Sequence, residues 1–99
     1  MSDPDQLFRT LENVTDEPSF LSFLASLGRD RADETEKERV APSPAWGPGP
    51  NGWENSTVES FLLASVAWAS DSVKAPALEV AANPWRRCAD ILYAGKGYE

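Results

Sequence analysis

The sequence predicts an all-α protein, a compact bundle of about four helices interrupted by a long Pro/Gly-rich loop. Three observations carry that expectation. Apolar residues recur at helical spacings in several windows, helix-start signals stand ahead of those windows, and no alternating apolar pattern of strand length survives beside them. No internal repeat is visible. A chain of 99 residues has room for one small hydrophobic core and not for a second, so residues 1–99 read as a single helical domain.

The first helix is expected from about Pro4 to Asn13, with Asp3 as its cap, Pro4 at the first helical position and Leu7, Phe8 and Leu11 as its apolar side. Thr15 or Asp16 caps the second. There the helix dipole favours Asp16 and Glu17, and Pro18 is tolerated in the first turn. Phe20, Phe23, Leu24 and Leu27 form one stripe with Leu21 to its side, and Gly28 weakens the continuation. The next stretch, "RDRADETEKER" from Arg29 to Arg39, carries nine charges in eleven residues and either prolongs the helix as a solvated extension or frays. "VAPSPAWGPGPNG", Val40 to Gly52, holds four Pro and three Gly, which excludes regular structure from most of it. Residues 29–52 together therefore read as a flexible, charged and Pro/Gly-rich segment.

The third helix is expected to start after Trp53 and to run to about Ser70. Ser56 and Glu59 have the spacing of a capping box, and Asn55 is a rival cap. At about 100° per residue, Val58, Phe61, Leu62, Ala64, Val66, Trp68 and Ala69 share a broad arc opposite Glu59, Ser60, Ser70 and Asp71, the pattern of a helix packed over half its circumference. Ser65 lies inside the arc. Its hydroxyl can bond the carbonyl four residues back, and its small size lets a neighbouring helix approach. Val73 to Ala82 suits a short helix or a coil. Asn83 then caps and Pro84 opens a fourth helix that runs to about Gly95. On it Trp85, Cys88, Ala89, Ile91, Leu92 and Gly95 share one face, and Arg86, Arg87, Asp90 and Tyr93 the other. Both arginines are within reach of Asp90, in exposed pairs worth about 0.2–0.5 kcal/mol. They are also the only adjacent basic pair in the chain, and guanidinium groups suit carboxylates and phosphates, so a binding role competes with the plain surface ion pair. Cys88 reads as a small buried hydrophobe.

Sixteen acidic residues against nine Lys and Arg, with no His, give a formal charge of −7. That balance repels a nucleic-acid backbone and favours encounter with basic proteins. Met1 to Asp5 lacks the character of a signal peptide, and the apolar run Phe61 to Ala69 is too short to span a bilayer, so no membrane association is expected and a cytoplasmic location is the simplest account. Two Asn-x-Thr sequons, at Asn13 and Asn55, carry no weight without a secretory signal. The single Cys88 allows no internal disulfide, and no metal-ligand spacing occurs. Ser65 lacks the His that usually serves as general base. Glu54, Glu59 and Asp90 read as solvated carboxylates. The sequence therefore predicts no catalytic, metal or cofactor site, and a protein that is not an enzyme.

"GWENSTVESFLLASVAWASDS", Gly52 to Ser72, and "NPWRRCADILYAGKGYE", Asn83 to Glu99, together with Phe20, Phe23 and Leu24, resemble the bacterial domain-of-unknown-function family 7660. The shared features are a Phe-rich opening helix, Trp53-Glu54-Asn55 leading into a helix with Thr57, Phe61, Leu62 and Trp68, and Trp85, Ala89, Asp90, Ile91, Leu92, Ala94, Lys96, Tyr98 and Glu99. The resemblance spans about Val14 to Glu99, and residues 28–52 and 73–82 match poorly. It implies a compact helical bacterial protein and supplies no activity. Because Asp90, Lys96 and Glu99 recur in a run that should be a solvated helix end, a network from this tail back to Trp53, Glu54 or Asn55 is expected.

Two functional expectations follow. The first is a non-catalytic interaction module, immunity- or antitoxin-like, that meets a basic protein partner. It rests on small size, acidic charge and four tryptophans, a residue type enriched at binding hot spots. The alternative is a sensor for a small molecule or peptide, with a pocket among Trp53, Trp68 and Trp85 and polar groups at Glu54, Asn55 and Asp90. Core packing is the simpler account of the three tryptophans. The candidate residues are Trp53, Glu54, Asn55, Trp68, Trp85, Arg86, Arg87, Asp90 and Lys96.

Overall fold

Side-chain caps set where the helices of this chain begin. The structure is a computed structural model in which residues 4–44, 49–74 and 83–98 are described. Within them lie α1 (Pro4–Glu12), α2 (Glu17–Val40), α3 (Val58–Lys74) and α4 (Pro84–Gly95), and among the described residues there is no strand. Asp16 caps α2 reciprocally: its Oδ1 accepts from the Ser19 N–H at 3.1 Å, and the Ser19 hydroxyl accepts from the Asp16 N–H at 3.1 Å. The Ser19 bonds hold the Asp16 carboxyl below the usual carboxylate range. Asn83 caps α4, its Oδ1 accepting from the Trp85 N–H at 2.9 Å, while its Nδ2 donates to the Thr15 carbonyl at 2.8 Å. One side chain thus starts α4 and fastens it to the turn between α1 and α2. The expected cap at Asp3 and the connection over residues 75–82 lie outside the described residues.

The capping box of α3 is one residue later than expected. Thr57 Oγ1 accepts from the Ser60 N–H at 3.1 Å, and the Ser60 hydroxyl accepts from the Thr57 N–H at 3.3 Å. Asn55 is occupied elsewhere, at the far end of α4, and the Ser56 carbonyl is taken by Arg31.

Leu7, Leu11, Val14, Phe23, Leu27, Trp53 and Ala89 form the core, with Phe20, Leu24, Phe61, Leu92 and Tyr93 packed around it. Leu21 stays outside, as its position beside the stripe requires. Among the described residues the fold is a three-helix packing of α1, α2 and α4, with α3 applied to α4 and to no other helix. Where α3 meets α4, Ser65 lies against Gly95: a Cβ on Gly95 would sit 1.9 Å from the Ser65 hydroxyl oxygen and 2.9 Å from the Phe61 carbonyl oxygen. The Ser65 hydroxyl donates to that same carbonyl at 2.8 Å. A small residue on each helix is what allows the two backbones to approach.

The segment expected either to prolong the helix as a solvated extension or to fray does prolong it, with Ala32, Thr35, Glu36 and Arg39 exposed, but it is not solvated all round. Helix α2 continues to Val40, and within it Asp30 and Glu34 are buried. Phe23, Leu27, Asp30 and Glu34 are spaced four, three and four apart, so the inward stripe of α2 carries on past Gly28 with carboxylates in place of apolar side chains.

Candidate functional site

The inward carboxylates of α2 organise the loop that precedes α3. Glu34 Oε1 accepts from the backbone N–H of Asn51 and of Trp53, each at 3.1 Å, and its Oε2 pairs with Arg31 at 3.0 Å. Asp30 Oδ2 accepts from the Trp53 indole N–H at 2.8 Å and from Lys96 Nζ at 2.7 Å. The Trp53 ring is thereby enclosed, with the Arg31 guanidinium 5.9 Å and the Lys96 ammonium 5.7 Å from its centre and the Phe61 ring at 5.7 Å. Both cations are placed for a favourable interaction with the ring's π system. Asn51 completes the arrangement, donating to the Asp30 carbonyl at 2.9 Å and accepting from Lys37 at 2.8 Å. Two glycines serve it in different ways: a Cβ on Gly49 would overlap the Glu34 carboxylate, and Gly52 closes the turn at φ +85.

The C-terminal run closes the same cluster from the other side. The Lys96 carbonyl accepts from the Glu54 N–H at 3.0 Å and from the Asn55 N–H at 3.3 Å. The Asn55 amide donates to the carbonyls of Gly95 and Tyr98, both at 2.9 Å. Asn55 therefore supplies donors to the open carbonyl end of α4, a C-terminal capping role. The expected link from the tail back to Trp53, Glu54 or Asn55 is present through Lys96, while Glu99, also expected in it, lies outside the described residues. Asp90 takes no part in it; its Oδ1 accepts from Arg86 Nε at 2.9 Å.

The remaining candidate residues lie apart from this cluster. Arg87 does not reach Asp90. It crosses to α3, donating to the Ala69 carbonyl at 3.2 Å and the Ser72 hydroxyl at 2.9 Å, with its guanidinium 5.2 Å from the Trp68 ring centre. The side chain that bridges this end of the α3–α4 seam is thus Arg87, and Cys88, expected to be buried there, is exposed. Trp85 is likewise only partly covered, its ring 5.5 Å from that of Phe20. Trp53, Trp68 and Trp85 thus make separate contacts among the described residues.

Trp68 and Asp90 do line an open groove of about 490 Å³ over α4, with Phe8, Leu11, Arg86, Tyr93 and Tyr98 among its walls. Burial, with the nearby Asp30 carboxylate second, pushes the Tyr93 phenol above its ordinary value. The Tyr98 phenol is raised chiefly by the hydrogen bond it donates to Asp71.

Helix α3 presents a second surface. Its inward positions are Phe61, Ser65, Trp68 and Ser72, whereas Val58, Leu62, Leu63 and Val66 are 72%, 50%, 69% and 62% exposed. The arc expected to pack therefore splits, and its largest aliphatic side chains face outward. The physical reason is that among the described residues α3 has one helical neighbour, α4, and packs on it by a narrow strip.

Among the described residues no group of three or more potential metal ligands occurs, and no helix is long and apolar enough to cross a membrane. The fold and its cluster define an all-helical protein whose α2, pre-α3 loop and C-terminal tail are tied by buried charged hydrogen bonds. The chain belongs to the family of unknown function DUF7660, whose model matches residues 16–99. No curated protein and no solved structure matches it. The match begins at the Asp16 cap and takes in every residue of the buried cluster.

Asp30, Arg31, Glu34 and Asn51 were absent from the candidate set drawn from the sequence. The signal that marks Asp30 and Glu34 is the unbroken inward spacing from Phe23 to Glu34, and Arg31 and Asn51 carry no such mark.

Proposed function

We propose that this protein acts by binding rather than by catalysis, as an interaction module for a basic partner protein. One observation carries the reading: the outward face of α3. Full burial of a Val or Leu side chain is worth about 1.5–3 kcal/mol, and four such side chains on one helix are left facing water while serines occupy two of its inward positions. An apolar patch of this kind, carried by a protein with a charge of −7, suits a partner that offers apolar and basic surface together. Self-pairing is opposed by the charge, since each copy brings the same negative excess.

The test compares the parent chain with a Leu62→Asp/Leu63→Asp variant as baits in extracts of the native host. The expected result is a basic protein retained by the parent and lost with the variant, both baits having the same helical circular dichroism. Identical capture by the two, or none by either, contradicts the reading.

A second reading has its own support. The groove lined by Phe8, Trp68, Tyr93 and Tyr98 has the aromatic walls and the few polar groups, Arg86 and Asp90, of a small-molecule or peptide site. Quenching of Trp68 fluorescence by a ligand, abolished in Trp68→Phe, is its test.

A further inference from the structure

The outward face of α3 also carries information about the shape of what covers it. Val58, Leu62 and Val66 follow one another at four-residue intervals, with Leu63 alongside, and from Ser60 to Ser70 the helix holds no charged residue. Within the stripe one charge interrupts the apolar surface: Glu59, a single turn before Leu62 and Leu63, exposed and without an ion pair or hydrogen bond among the described residues. Leu62, Leu63 and Val66 lie beyond the first turn of α3, where backbone N–H and C=O groups are already bonded to one another, while Val58 and Glu59 stand in that first turn. At its centre the surface therefore offers an incoming chain side chains only. A strand laid across it would bury its own backbone groups without partners, each losing its bond to water. A helix satisfies its backbone internally, and its rows of side chains repeat at the pitch of the α3 row.

Resting on the interaction reading above, we infer that the α3 face receives an amphipathic α-helix of a partner protein, with an apolar stripe set against Val58, Leu62, Leu63 and Val66 and a Lys or Arg opposite Glu59. The apolar stripe supplies the buried area. Glu59 fixes register and rejects acidic helices, because an apolar helix with an acidic residue at that point brings two carboxylates together. Charge complementarity selects this occupant over a second copy of the chain, because each copy carries the same net charge of −7.

The experiment uses the full chain and two synthetic fluorescein-labelled helical peptides of fourteen residues, identical in a leucine stripe and differing in polar positions that are all Lys or all Glu, with binding read by anisotropy. The Lys peptide is expected to bind and the Glu peptide not. Glu59→Gln should weaken the Lys peptide about two- to fivefold, the effect of one exposed ion pair, while Glu12→Gln, an equal change of charge on another helix, leaves it unchanged. Leu63→Asp should weaken it at least tenfold. Equal weakening by Glu59→Gln and Glu12→Gln, or equal binding of both peptides, overturns the inference. Light scattering separates the two remaining failures. A chain that binds neither peptide but is a dimer dissociated by Leu63→Asp overturns the basic helix and leaves α3 an interface. A monomer that binds neither peptide overturns this inference and removes the main support for the interaction reading.

Discussion

The buried cluster around Trp53 and the outward face of α3 reverse the usual division between inside and outside. In the cluster, carboxylates of α2 lie fully inside and hold a loop and a tail through charged hydrogen bonds; on α3, aliphatic side chains of ordinary core type lie outside. The two regions are joined through Trp53 and Phe61, whose rings are 5.7 Å apart. The comparison teaches that hydropathy alone does not assign roles in this small domain. The polar cluster fixes the start of α3, and the apolar face is what that fixed helix displays.

If the cluster holds the fold, breaking it should have the largest effect. Asp30→Ala leaves Lys96 and the Trp53 indole N–H without their shared acceptor, and removal of one partner of a buried pair costs about 3–5 kcal/mol. Urea denaturation followed by Trp fluorescence measures it. Gly95→Ala forces the α3 and α4 backbones apart because its methyl would overlap the Ser65 hydroxyl, and a loss of about 1–3 kcal/mol is expected. The paired change Gly95→Ala/Ser65→Gly should recover part of that loss if the close approach is its cause. Trp53→Phe keeps most of the apolar ring but removes one donor to Asp30, for an expected cost of about 1–3 kcal/mol in the same assay.

Much of the scaffold was legible in the sequence because local signals and tertiary packing agree there. Asp16 and Asn83 are caps in both, Pro18 and Pro84 stand in first turns, and Phe23 and Leu27 point inward as their spacing requires. The cluster was half legible. Trp53, Asn55 and Lys96 stood out by their setting, but Asp30 and Glu34 lie in a run of charges whose average hydropathy argues for water. Only the continuation of the Phe23–Leu27 stripe separates these two acids from exposed neighbours such as Ala32 and Glu36. The outward aliphatic face of α3 was not legible, because a helical stripe reports which residues share a side and not whether a second helix arrives to cover it. Cys88 and Arg87 exchanged their expected places for a related reason: Arg is long enough to bring its stem along the seam and its guanidinium to the Ala69 carbonyl.

Alkaline pH gives a gentler probe of the region beside the cluster. The Tyr93 phenol is raised mainly by burial, so the folded state binds that proton more tightly than the unfolded state does. Its contribution to stability is present below the ordinary phenol value of about 10 and is lost as pH rises through the higher folded value. Tyr98, raised by its bond to Asp71, acts in the same direction. Unfolding midpoints at pH 9 and pH 11 should therefore fall, and Tyr93→Phe should make the fall shallower. An unchanged slope in that variant assigns the loss to other groups.

The smallest effect is expected on the apolar face. Leu63→Asp places a charge where the native side chain already meets water, and stability should stay within about 0.5 kcal/mol of the parent. Set beside Asp30→Ala, it gives the most direct test of the whole account: two unfolding midpoints measured under one condition on the free chain. Asp30→Ala is expected to collapse the midpoint while Leu63→Asp leaves it in place. A Leu63→Asp chain that unfolds as readily as Asp30→Ala would contradict it, because the outward face of α3 would then be part of what holds the fold.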